Sequence, residues 1–143
     1  MFRSKPAVEQ LKSVSLFDGL PERELKTIAG ELRDVKFKAG EVMVAEGDTT
    51  GRFFLIIDGY ATVTVNGEKR ADLGPGRYFG DLSVIDRGPR SATVAASTDV
   101  EAKWMPSTEF LALVEQHWSI GYKVMLGLCR RVRDAEHDLT TVH

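Results

Sequence analysis

Apolar and polar residues alternate in three successive rhythms along this chain. Leu25, Ile28, Ala29 and Leu32 fall at i, i+3, i+4 and i+7, the spacing that gives a helix one apolar face. Pro21 opens that helix, and Glu22 and Glu24 stand in its first turn, where the helix dipole favours acids. A shorter helix is expected before it, around Ala7 to Val14, followed by a turn at Phe17-Asp18-Gly19. From about Val35 to Met105 the rhythm shortens. Runs rich in Val, Ile, Phe and Thr are separated by Lys38-Ala39-Gly40, Glu46-Gly47-Asp48, Asp58-Gly59, Asn66-Gly67 and Pro75-Gly76, and Tyr60 to Val65 alternates with period two. Asp-Gly and Asn-Gly between such runs signal hairpins, because type I′ turns need positive φ at both central residues. Seven or eight short strands at this spacing predict an antiparallel sandwich, jelly roll or barrel.

After Pro106 the helical period returns. Ser107 reads as the N-cap of a helix through Glu109 to Val114. A longer helix then runs from Trp118 towards Leu139. Trp118, Gly121, Met125, Leu128, Val132, Ala135 and Leu139 form a heptad seam along it, stepping alternately by three and four. Two placements are open to that seam: against the protein's own sheet, or against a second chain. The charged setting of its second half, with Arg130, Arg131, Arg133, Asp134 and Glu136, favours the second.

Composition narrows the class. The chain has 143 residues, 43% hydrophobic and 28% charged, enough for one domain with a real core. A net charge of −2 gives no overall nucleic-acid footprint. Cys129 is the single cysteine, so no internal disulfide can form, and it reads as a packing residue. No apolar run reaches the length of a membrane span and the N-terminus lacks a signal-like core, so a cytoplasmic location is expected. The histidines (His117, His137, His143) all lie late in the chain, a poor fit to cupin-type metal ligation. No nucleophile stands with a base beside it in the sequence, and no catalytic role is expected.

One stretch is hard to read as ordinary core. Tyr78 to Val94, YFGDLSVIDRGPRSATV, sets a carboxylate at Asp81 and a guanidinium at Arg90 among apolar residues. Gly80 breaks the chain before an expected helical turn over Asp81 to Ile85, whose first N–H groups suit an anion. Arg90 follows a second turn at Arg87-Gly88-Pro89, and its planar fork matches phosphate. Asp81, an acceptor when ionised, suits a hydroxyl. By spacing alone, a buried Asp81–Arg90 ion pair and a site for a sugar phosphate stand level.

The run from Phe79 to Val94 resembles the phosphate-binding cassette of the cyclic nucleotide-binding domain family, usually F-G-E-L-A-L, four variable residues, then P-R-A/S-A-T-V. The likeness extends along the chain and implies an α+β, mainly β architecture. One domain over 1–143 would comprise N-terminal helices (1–33), an antiparallel β-roll (34–105) carrying the cassette (79–94), and two C-terminal helices (107–139). The resemblance implies that Arg90 pairs with the cyclic phosphate. Gly80 and Leu82 would offer backbone groups, Ser91 and Ala92 hydroxyl and backbone donors, and Val63 would line the base pocket beside Phe79. Asp81 stands where the family usually has Glu, which accepts from the ribose 2′-hydroxyl, and it is one methylene shorter. Ser91 carries the hydroxyl that cGMP-preferring members have as Thr, yet bacterial cAMP-binding members often carry Ser; cAMP is the favoured ligand. No further cofactor is expected. The contact that caps the base is left to Arg130, Arg133 or Glu136. Partners implied are the nucleotide, a second copy through helix 118–139, and an effector domain or protein. The helix-turn-helix of the activator branch is not expected in this chain. The alternative is a degenerate, ligand-free module used for dimerisation or docking, and Asp81 is the residue that favours it.

Overall fold

The computed structural model describes residues 7–49, 51–80 and 90–141, the last four as backbone only. A short helix α1 (Ala7–Lys12) and a single 3₁₀ turn (Ser15–Phe17) lead into α2 (Glu22–Glu31). Pro21 is the N-cap of α2, and its buried side is Leu25 and Ile28, as the spacing predicts. The strands follow as β1 (Arg33–Phe37), β2 (Val42–Val44), β3 (Arg52–Asp58), β4 (Ala61–Val65), β5 (Glu68–Leu73), β6 (Tyr78–Phe79), β7 (Thr93–Ala96) and β8 (Val100–Pro106). Helices α3 (Ser107–Gln116) and α4 (Trp118–Thr141) close the chain.

Among the described residues the strands form two four-stranded antiparallel sheets, ordered β1-β8-β3-β6 and β2-β7-β4-β5. This is an antiparallel β-roll flanked by helices at both ends of the chain. Asn66-Gly67 makes the hairpin expected of it. Val65 pairs with Glu68 across a two-residue loop, and φ is +52° at Asn66 and +79° at Gly67. Asp58-Gly59 does not make a hairpin. Only Gly59 has positive φ, and the strands on either side of it belong to different sheets, so this turn is the corner that carries the chain from one layer to the other.

Strand β3 divides two cores. Phe53 and Leu55 point to the helices and Phe54 and Ile56 point between the sheets, so its sequence RFFLIID is apolar on both faces. On the helical side Phe53 stacks on Phe110 of α3 at 3.9 Å, with Ile28, Ile120 and Val124 in the same cluster. Between the sheets Phe54 stacks on Phe79 at 5.1 Å, among Val44, Ala61, Val94 and Ala102. Lys103 is buried on β8 and its ammonium lies 2.6 Å from Asp34 of β1, the partner that a buried charge requires.

Three local expectations are corrected. The cap of α3 is Pro106 rather than Ser107; Ser107 is the first helical residue and its N–H donates to the Gly51 carbonyl at 2.9 Å. Cys129 is exposed, so it is not a packing residue. The seam of α4 is split. Gly121 is buried and Leu128 packs against the helical core, while Trp118, Met125, Val132 and Ala135 lie in solvent. The inward face is carried by Ile120, Val124 and Leu128, a neighbouring stripe on the same helix.

Candidate functional site

The two ends of the cassette meet. Phe79, buried at the end of β6, fixes Gly80 at the mouth of the inter-sheet core, and Gly80 has φ +96°. A Cβ at Gly80 would run into the Arg52 carbonyl oxygen and Arg90 Nη1, so only glycine lets the backbone pass here. Arg90 is 4% exposed, and its Nη2 donates to that same Arg52 carbonyl. A guanidinium held at the edge of an apolar core keeps its charge and presents a planar, five-donor fork.

The backbone around Arg90 is clasped as closely as its side chain. Its N–H donates to the Asp48 carbonyl, and its carbonyl accepts from the Gly47 N–H, both at 2.8 Å. The Glu46 N–H donates to Thr93 Oγ1 at 2.9 Å, and the Glu46 carboxylate accepts from the Asn66 N–H at 3.0 Å. The loop between β2 and β3 thus ties the cassette's exit to β7 and to the tip of the β4–β5 hairpin. Ser91 is exposed beside Arg90, and Ala92 is half-buried where the chain enters β7. On the sheet floor Val63 of β4 lies opposite Val94 of β7, in the same cluster as Phe79 and Phe54.

The structure therefore brings Phe79, Gly80 and Arg90 together, with Ser91 and Ala92 following and Val63 on the floor. Asp81, Leu82 and the expected helical turn over Asp81 to Ile85 lie outside the described residues. Of the capping candidates, Arg130, Arg133 and Glu136 are all exposed on the second half of α4. The sequence did not mark Arg52 or the clasp at Gly47 and Asp48. These act through backbone atoms, which any residue supplies, and Glu46-Gly47-Asp48 reads only as a turn. Arg52 also lies over the Trp104 ring at 4.6 Å, with Arg33 over it at 4.9 Å.

Among the described residues no helix is long and apolar enough to cross a membrane. Comparison with known proteins gives a consistent picture. A family model described as "Cyclic nucleotide-binding domain" matches residues 34–117. The CRP-like cAMP-activated global transcriptional regulator of Mycobacterium tuberculosis is 27% identical over 139 residues, covering 92% of this chain and 61% of the relative. The crystal structure of the Thermus thermophilus catabolite activator protein superposes with a TM-score of 0.78 at 28% identity, over 89% of this chain and 62% of that one. A structure of PKAR CBD2 with Sp-2Cl-cAMPS bound gives 0.76 at 23% identity, over 96% and 94%, and speaks for the fold alone. The chain spans about three-fifths of the length of the curated transcriptional regulator it matches, 61%.

Proposed function

This chain belongs to the cyclic nucleotide-binding domain family, and from that premise we propose that it binds a cyclic nucleotide, cAMP in preference to cGMP, as a regulatory rather than catalytic domain. The observation that carries the reading is the buried Arg90 guanidinium set against Gly80 at the edge of the inter-sheet core. In this reading the cyclic phosphate pairs with the Arg90 guanidinium, which the Arg52 carbonyl helps to hold in place. Gly80, Leu82 and Ala92 give backbone groups, Ser91 gives its hydroxyl, Asp81 accepts from the ribose, and the base lies over Val63 and Phe79. The preference for cAMP rests on Ser91, the serine often found in bacterial cAMP binders, and on the relative named as cAMP-activated. The nucleotide is the only small molecule the site needs.

The signal leaves through α3 and α4, towards a second copy along 118–139 or towards an effector domain. A ligand that touches α4 in one position only must shift the helix towards it, by no more than its difference in affinity for the two positions.

Calorimetric titration with cAMP and cGMP tests the assignment. Arg90→Ala should lose charge-assisted hydrogen bonds worth on the order of 1.5–3 kcal/mol each, with the fold intact by circular dichroism. Wild-type binding that Arg90→Ala leaves unchanged would overturn the site. No binding of either nucleotide would favour the second reading, a ligand-free docking module, for which the shorter Asp81 is the supporting residue.

A further inference from the structure

A second concavity lies on the helical side of the molecule, and Arg90 is not among the residues that line it. It is a cleft of about 580 Å³ between the 3₁₀ turn, the β5–β6 turn and α4. Its cations are Arg77 from the turn and Lys123, Arg130 and Arg131 from α4; its carboxylates are Asp18 and Asp134. Among the described residues, four cations against two carboxylates make the cleft positive, although the chain as a whole carries −2. Arg77 and Arg130 are exposed, and among the described residues neither guanidinium has a side-chain hydrogen bond or ion pair. Lys123 spans the cleft, its ammonium donating to the Asp18 carbonyl at 2.8 Å.

We propose that this cleft is a binding site for a phosphorylated small molecule, separate from the cassette. Like charges gathered from two distant segments repel one another, and an anion placed among them relieves that repulsion. Two guanidinium forks suit phosphate oxygens better than a single carboxylate, because each can hold two of them. Leu16 and Leu126 supply an apolar wall for the body of the ligand. The volume is that of a small-molecule site rather than of a flat docking face. The run Arg130-Arg131-Val132-Arg133 reads in sequence as a solvated helix face; the structure turns two of its arginines onto the cleft.

The test uses pyrophosphate as the probe, titrated by calorimetry at constant ionic strength. Arg90→Ala protein serves as the background, so that the cassette cannot take the anion. Binding should persist there, and adding Arg77→Gln with Arg130→Gln should weaken it by at least about tenfold. Both side chains are exposed, and an unchanged melting temperature confirms the fold. Affinity should also fall as salt rises. Absence of pyrophosphate binding in the Arg90→Ala background overturns the proposal, as does an affinity that the double substitution leaves unaltered. Binding of a hexaglutamate peptide without pyrophosphate overturns it too, and makes the cleft a protein-docking groove. Cyclic nucleotide affinity is measured separately on the unmodified chain, because Arg130 is also a candidate to cap the base.

Discussion

At the scale of single residues, the site is held by groups of unequal visibility. Gly80 and Arg90 are legible in the sequence because each does what few residue types can do. One passes at φ +96° where a Cβ would strike Arg52 and Arg90, and the other brings a permanent charge into a 4% exposed position. The Arg52 carbonyl and the Gly47–Asp48 clasp are illegible, since a backbone acceptor has no signature in side chains. Gly80→Ala should therefore destabilise the fold by about 1–3 kcal/mol from backbone strain and also weaken nucleotide binding, because the new methyl displaces the guanidinium. Urea unfolding beside calorimetry checks both, and an alanine tolerated in both would mean that the contact relaxes freely. Asp81 makes the opposite kind of prediction. Its carboxylate reaches one methylene less than the family's Glu, so Asp81→Glu should tighten cyclic nucleotide about tenfold, or about 1.4 kcal/mol. Weaker binding would show a pocket adapted to the shorter acid.

At the scale of elements, period alone settles helix against strand but not which layer an element joins. The hairpin at Asn66-Gly67 was legible because two consecutive residues take positive φ. Asp58-Gly59 carries the same sequence signal and is a corner instead, because Ala61 pairs with Leu73 and Ala96 in the second sheet. Helix α4 shows the same ambiguity. A heptad count collects Gly121 and Leu128 with Met125 and Val132, although adjacent stripes of an α-helix lie only tens of degrees apart. The structure separates them. Ile120, Val124 and Leu128 face the core, whereas Met125 is 45% and Val132 56% exposed. That outer stripe, with Trp118 72% exposed, is a surface a second copy can cover. Val132→Asp should then shift sedimentation towards monomer while leaving the melting temperature of the monomer within error. If the wild-type chain is monomeric at every concentration and nucleotide does not alter hydrogen exchange across 118–141, α4 is neither a dimer contact nor an output.

At the scale of the whole molecule, the two cores share one wall. Phe53 and Leu55 look towards the helices and Phe54 and Ile56 look into the roll, so the strand cannot loosen on one face without disturbing the other. An antiparallel strand with one solvated face alternates apolar and polar residues. The run RFFLIID departs from that pattern because helices cover what would be the wet face, a fact of tertiary packing that no local window contains. The consequence is thermodynamic. The proposed nucleotide site touches the inter-sheet core through Phe79 and Val63, and the proposed output helix rests on the helical core through Ile120 and Val124. If β3 couples them, the domain unfolds as one cooperative unit, and ligand stabilises all of it by mass action. At a nucleotide concentration of one hundred Kd the gain is about 2.7 kcal/mol. For a chain of this size, that raises the midpoint by about 5–10 °C. Calorimetric melting should accordingly show a single transition that moves upward with cyclic nucleotide, and Arg90→Ala should abolish the movement without splitting the peak. Two transitions, only one of them raised by ligand, would mean that the helices melt apart from the roll and that β3 does not carry the signal.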